Sequence, residues 1–351
     1  MKIIETRRAA TLYLALSLTL CWVAARSLAP AFDGWRLVLS KDDPVALSEA
    51  RIDGLLTPER FSAQFDAALS ARDLDLASSL VELGKTRALA PTLAQETRLT
   101  ELRTDESKKA IENFAEGFLR GARDSGAAFA GAVASDLSGF GDVRDLWTEG
   151  EKVRRGEAPD ELVIGLAAAG LALSAVTWSS VGAMLPARSG LTFVKSAQKA
   201  GRLSRPLARA MTAAAAKAVD REALTAGASA LAKLDFASAR SVAPKIVRPG
   251  ALGNFRLLGE DAALLYRHAG ARGAKDALAL AENGAELGKA AKLAAAKGGA
   301  TRAILAMLGR GALVLGALAA GAVEAIFAFL GALLGLAMLA QRFGFWLGRA
   351  I

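Results

Sequence analysis

The sequence predicts an all-α fold: a helical integral membrane protein with helical extramembrane segments. Three observations carry this expectation. The composition is 53% hydrophobic but only 6% aromatic, and Ala, Leu and Gly dominate over β-branched residues, which favours helix over strand. Long uncharged runs lie near both ends of the chain. Between them, capping residues and prolines recur at helix-start spacing.

The N-terminal run, residues 9–25, has no charge and is framed by Lys2, Arg7, Arg8 and Arg26. At about 1.5 Å per residue it covers roughly 26 Å of a ~30 Å hydrocarbon core, and Arg26 can snorkel to complete the span. A cleaved signal peptide competes with a retained anchor, but the best small-residue site ends at Ala29 and is followed by Pro30, so residues 1–29 are expected to form a signal-anchor helix. Leu20 before Cys21 is too large for lipoprotein processing. Phe32 and Trp35 suit an interfacial aromatic belt.

Residues 30–161 are expected to form an acidic helical extracytoplasmic domain. Asp43-Pro44 and Thr57-Pro58 place capping side chains before prolines at N1. Phe61, Phe65 and Leu69 share one helix face, as do Leu76, Leu80 and Leu83, and Gly84 is placed as a C-cap, giving a helical hairpin. A longer helix is expected from about residue 105 to 123, with Ile111, Phe114 and Phe118 on one face and Glu116 paired to Arg120.

The chain is acidic first and basic second. Residues 31–161 hold 17 Lys and Arg against 25 Asp and Glu, whereas residues 187–301 hold 19 against 8, within a total net charge of +9. Because basic residues gather on the cytoplasmic side of bacterial-type membranes, this split predicts that the uncharged Gly/Ala-rich segment 162–186 is a transmembrane crossing. The basic helical segment 187–301 would then be cytoplasmic, like the N-terminus. If 162–186 does not span, the two halves lie on one side and can attract each other. Lys195, Lys199 and Arg202, at i, i+4 and i+7, would line a face suited to anionic lipid headgroups.

Residues 302–351 are expected to form a C-terminal transmembrane hairpin and tail. Within residues 303–340 the charges are Arg310 and Glu324. A hairpin with Glu324 near its turn fits, and so does a single tilted helix with Glu324 inside the membrane. Intramembrane charges are functional candidates by default, which singles out Arg310 and Glu324. Gly331 with Gly335, and Gly344 with Gly348, have the spacing that permits close helix packing.

Enzyme motifs fail. The Gly84-Lys85-Thr86 triplet has Ser79 where a phosphate-binding loop needs glycine, and Gly139-Phe140-Gly141 is followed by Arg144 where a dinucleotide fingerprint needs its third glycine. His268 is the single histidine and Cys21 the single cysteine, so two-histidine zinc sites, cysteine clusters and disulfides cannot be built. Asp142, Asp145 and Glu149 share a helix face that could seat a divalent cation or be ion-paired with neighbouring bases. No cofactor and no metal are expected. Stacking aromatics are sparse in the basic half, which argues against nucleic acid.

Residues 139–202 resemble the pre-toxin segments of bacterial polymorphic toxins. The resemblance rests on the Gly139-Phe140-Gly141-Asp142 turn, Asp145, Trp147, a short charged helix, Gly156, an apolar stretch and the basic run Lys195, Lys199 and Arg202. Arg155-Gly156 stands where that family carries Thr-Gly. The resemblance implies a bacterial envelope protein whose middle segment packs as a hydrophobic module or associates with a membrane. The expected function is a structural or interaction protein of the bacterial inner membrane, not an enzyme, with the bilayer and a protein partner or second copy as partners. A membrane-perturbing or pore-forming protein is the alternative. A transporter or channel subunit ranks behind both, since few polar residues line any span.

Overall fold

The computed structural model describes residues 2–120, 140–179, 184–233, 235, 238, 241–242, 245–315 and 318–348. Those residues are helical, with turns and one isolated antiparallel bridge between Val219 and Val247, and no strand occurs among them. The chain divides into two units, residues 1–54 with 314–351, and residues 55–313. This replaces the five consecutive segments expected from the sequence.

The first unit joins the two ends of the chain. Helix α1 (Lys2–Leu39) runs through Pro30, ten residues beyond the expected end of the anchor. After a turn, α2 (Pro44–Leu55) starts where Asp43 accepts a hydrogen bond from the Val45 amide at 2.9 Å, as the Asp-Pro pair predicts. Helix α14 (Leu318–Gly348) is one continuous helix. The expected C-terminal hairpin is therefore not formed, because residues 301–313 fold into the other unit and Glu324 sits in the second turn of α14 rather than at a bend.

In the second unit, α3 (Pro58–Ser70) and α4 (Leu74–Lys85) form the expected helical hairpin. Thr57 and Asp73 cap them, accepting from the Arg60 and Leu76 amides, and Phe61, Phe65, Leu69, Leu80 and Leu83 are buried. Gly84 is no cap: it lies inside the last turn, where a Cβ would overlap the Leu89 carbonyl oxygen. Helix α5 (Leu93–Arg120) begins well before residue 105, because Thr92 and Gln95 form a reciprocal capping box and the Gln95 amide also bonds Ser62. The side chains of Ile111, Phe114, Glu116, Phe118 and Arg120 lie outside the described residues.

Helices α6 (Phe140–Arg154), α7 (Glu161–Ser179), α8 (Leu185–Lys199), α9 (Arg205–Ala218) and α10 (Arg221–Ala232) lead into the long α11 (Pro249–Leu280), which kinks at Gly270. Helix α12 (Gly284–Lys297), a 3-10 turn, α13 (Thr301–Leu308) and a second 3-10 turn close the unit. The segment expected to cross the membrane forms α7, whose described side chains are packed within this unit. Leu162, Val163, Leu166, Ala167, Ala169, Ala172 and Leu173 of α7 are all buried, and α6, α8, α9 and α11 pack on it. Its uncharged sequence reflects burial by protein on every side, a pattern that a membrane span shares. Helices α8 and α11 cross in close contact: a Cβ on Gly190 would overlap the Gly259 carbonyl, and one on Gly259 would overlap that of Ala187.

Candidate functional site: paired terminal helices and a buried ion cluster

Helices α1 and α14 pack on each other within the first unit. On α1 the less exposed positions are Ser17, Leu20, Val23, Ala24, Ser27, Ala31, Gly34, Leu37 and Val38, and on α14 they are Ala325, Ile326, Phe329, Ala332, Gly335, Leu336 and Leu339. Each series keeps to one helix face, recurring at i+3 and i+4 with a flanking neighbour at Val23, Leu37, Ile326 and Gly335, as a helix-pair seam does. Small residues dominate the α1 series and leave room for the larger Phe329, Leu336 and Leu339 of α14. Leu20 lies against Gly335, where a Cβ would be 3.0 Å from its Cδ1. At the far end, the Arg51 guanidinium donates to the Val314 and Leu315 carbonyls at 3.2 and 2.7 Å. Leu20 to Leu39 and Leu318 to Gly335 each cover roughly 26–28 Å, so the two helices are antiparallel.

The lipid-length windows are Tyr13–Leu39 and Val323–Arg342; both are long and apolar enough to cross a membrane, and only 6% of each is buried. Counting antiparallel from the Leu20–Gly335 contact, Arg342 is level with Tyr13 and Glu324 with Ala31. Arg26, about 7 Å inside the Glu324 level, is long enough to snorkel to it. The hydroxyls of Ser17, Thr19 and Ser27 donate to carbonyls one turn back in their own helix at 2.9, 2.8 and 2.6 Å. That leaves few polar groups seeking water across the apolar stretch.

Gly335 is thus a packing glycine, whereas Gly331 has nothing within 4 Å of its Cβ position and does not pack. The surroundings of Gly344 and Gly348 lie outside the described residues. Glu324 is exposed on the membrane-length helix. Arg310 lies outside the membrane-length helix, in a 3-10 turn. It belongs to the second unit and bonds Glu286 at 2.6 and 2.9 Å and Glu282 at 2.7 Å. Glu286 also forms a capping box with Asn283, and the Arg310 guanidinium holds its carboxyl below the usual value.

The acidic face of α6 proves to be buried and ion-paired. Lys195 Nζ donates to Asp142 at 2.6 Å and reaches Asp145 at 2.9 Å; Lys199 bonds Asp145 at 2.6 Å, and Arg188 lies 3.9 Å from Asp142. The side chains of Lys195, Arg188, Asp142 and Asp145 are all at most 6% exposed. Burial pushes the Lys195 amine down, and Asp142 and Asp145 together outweigh it through charge and hydrogen bonds, so the amine lies above its usual value. Asp145 ends below the usual carboxylate value, because hydrogen bonds from Lys199 and Lys195 overcome its desolvation. The Asp142 carboxylate rests on Gly170 of α7, where a Cβ would overlap it. Glu149 accepts from the Asp160 amide at 2.7 Å, and Asp160 caps α7.

This cluster corrects one expectation and selects the ion-paired alternative for another. Lys195 is buried and Lys199 is paired, so of the three proposed headgroup ligands Arg202 is the one left exposed and unpaired among the described residues. The three carboxylates of α6 serve Lys and Arg counterions, and no group of three or more metal-type ligands occurs among the described residues. Helix spacing showed the acidic face and the basic face separately; that they pair was outside its reach. A second cluster has the same character. Arg302 grips Asp73 with two bonds of 2.6 and 2.7 Å and Asp276 with one of 2.7 Å, while Arg272 joins Asp73 and Asp75. The Arg302 guanidinium holds the Asp73 carboxyl at about 2.

His268 is half-buried on α11 and has no hydrogen-bond partner among the described residues, so no orienting carboxylate stands beside it. The fold and its sites define an all-α protein with two membrane-length helices drawn from opposite ends of the chain. No family model, curated protein or solved structure matches it.

Proposed function

We propose that the chain is a two-span membrane protein that holds a helical unit, residues 55–313, at one face of a bacterial inner membrane, in a structural or interaction role. One observation carries this reading: the paired α1 and α14 turn large apolar side chains outward along their length. Leu14, Leu18, Trp22, Phe327, Leu330 and Leu334 are 52–69% exposed. An apolar belt of that extent is a liability in water and the normal state in lipid. Both termini then share one side. Lys2, Arg7 and Arg8 with Arg342 and Arg349 favour the cytoplasm for them. Residues 55–313 would all lie outside, with the acidic and basic halves paired rather than separated.

Reporter fusions near residues 100 and 240 test this arrangement. Extracytoplasmic signals from both support it; opposite sides for the two positions refute it and restore a middle crossing.

A second reading is a membrane-perturbing protein. Helix α7 favours it, being on average as apolar as α14 and evenly so around its circumference, within the segment that resembles pre-toxins. Dye leakage from vesicles on adding the chain tests it, and intact vesicles at saturating protein dismiss it.

A further inference from the structure

From residue 191 to 219 the chain has six cations and no carboxylate. The fold divides these cations in two. Lys195 and Lys199 turn inward to Asp142 and Asp145. Arg202, Arg205, Arg209 and Lys217 are exposed, and among the described residues none of them is within ion-pair distance of a carboxylate. Helix α9 fixes three of the four. Ser204 caps it by accepting from the Leu207 amide, and Leu207, Met211, Ala215 and Ala218 anchor its opposite side in the core. What remains outside is a cationic face with only Pro206, Ala210, Ala213, Ala214 and Ala216 between the charges.

We propose that this outward face of α9 is a docking surface for anionic phospholipid headgroups. Charge complementarity selects an anion, and the physical form of the face selects a bilayer. A protein interface is built around bulky apolar and aromatic anchors, but the exposed residues between these charges are one proline and alanines. A nucleic-acid groove needs stacking aromatics, and α9 has none. On α9 the cations run about 18 Å, from Arg205 to Lys217, a linear array that suits the plane of a headgroup layer. The proposal deepens the membrane reading above and rests on it, since an anchored chain holds this unit near a bilayer at high local concentration. Each cation near an anionic surface contributes about a fivefold preference.

The test uses the full chain in reconstituted vesicles, with Cys21→Ser and Ala213→Cys carrying a fluorophore and a headgroup-attached spin label as quencher. Quenching is expected in phosphatidylglycerol-containing bilayers and not in phosphatidylcholine alone. Arg205→Gln and Arg209→Gln should each lower the docked-to-free ratio about fivefold, and the triple variant with Lys217→Gln should abolish docking while Lys275→Gln leaves it unchanged. Equal quenching in both lipids, no quenching in either, or docking that survives the triple variant overturns the proposal. So does retention of an acidic protein that depends on the three cations without any lipid dependence. Flotation separates the two readings. A chain that floats with neutral vesicles but shows no quenching loses only the α9 surface. A chain that floats only with anionic vesicles, and only with its three cations, keeps that surface and loses the anchor. Failure to float with either refutes both.

Discussion

Replacing Lys195 with Met tests whether the acidic and basic halves share one compartment and one core. The substitution keeps most of the volume and removes the charge that joins Asp142 to Asp145. Breaking a buried ion pair by deleting one partner costs about 3–5 kcal/mol, because the remaining charge stays desolvated. Here Asp145 keeps Lys199 at 2.6 Å and Asp142 keeps Arg188 at 3.9 Å, which places the loss near the lower end, about 3 kcal/mol. In a unit of this size that lowers the midpoint of thermal unfolding by roughly 6–12 °C. The assay is unfolding of the purified full chain in detergent, followed by circular dichroism. Adding Asp142→Asn and Asp145→Asn to Lys195→Met should deepen the loss, since Arg188, 3% exposed, then loses its carboxylate. A single-variant loss below about 1 kcal/mol, the range of a surface pair, would refute the buried cluster and with it the one-sided arrangement of the two halves.

Other outcomes follow from other contacts. In a Cys21→Ser background, Leu20→Cys with Gly335→Cys should cross-link under mild oxidation, whereas Leu20→Cys with Gly331→Cys should not; the reverse would overturn the register of α1 on α14. Gly190→Leu should prevent folding or cost several kcal/mol, because its side chain enters the Gly259 carbonyl, while Gly250→Ala, in open space, should change stability little. The Asp73 carboxyl lies at about 2 against its ordinary 3.8. Its stabilisation is present above pH 3.8 and fades as the pH falls through 2. Allowing for a side chain still 23% exposed, that stabilisation is about 1–2 kcal/mol. Arg302→Gln should therefore flatten the acid limb of the stability profile, and an unchanged limb would remove the pair from the account.

Much of the local structure was legible because its causes are local. Thr57-Pro58, Asp73 and Asp43-Pro44 start helices through their own side chains, and Phe61, Phe65 and Leu69 recur on one face because a helix repeats every 3.6 residues. The errors share a different cause. A helix buried on every side by protein and one buried by lipid meet the same condition, the absence of water, so α7 and a span read alike from composition. Gly331 and Gly335 have identical sequence credentials, yet only Gly335 meets Leu20, because facing is a property of the partner. Arg310 looked stranded in an apolar run until Glu282 and Glu286, more than twenty residues earlier, closed on it.

The charge split is where those errors converge. Seventeen bases against 25 acids, then 19 against 8, can mean two compartments divided by a membrane or two surfaces that bind each other. The positive-inside rule favours the first only when the basic residues are solvated and lie in short loops. Lys195 and Arg188 are buried, and Lys199 and Arg272, though partly exposed, are paired like them to an acid from the first half of the chain. Of the 19 bases, these four are committed to acids of the first half, and the exposed cations of α9 are among those with no such pairing among the described residues.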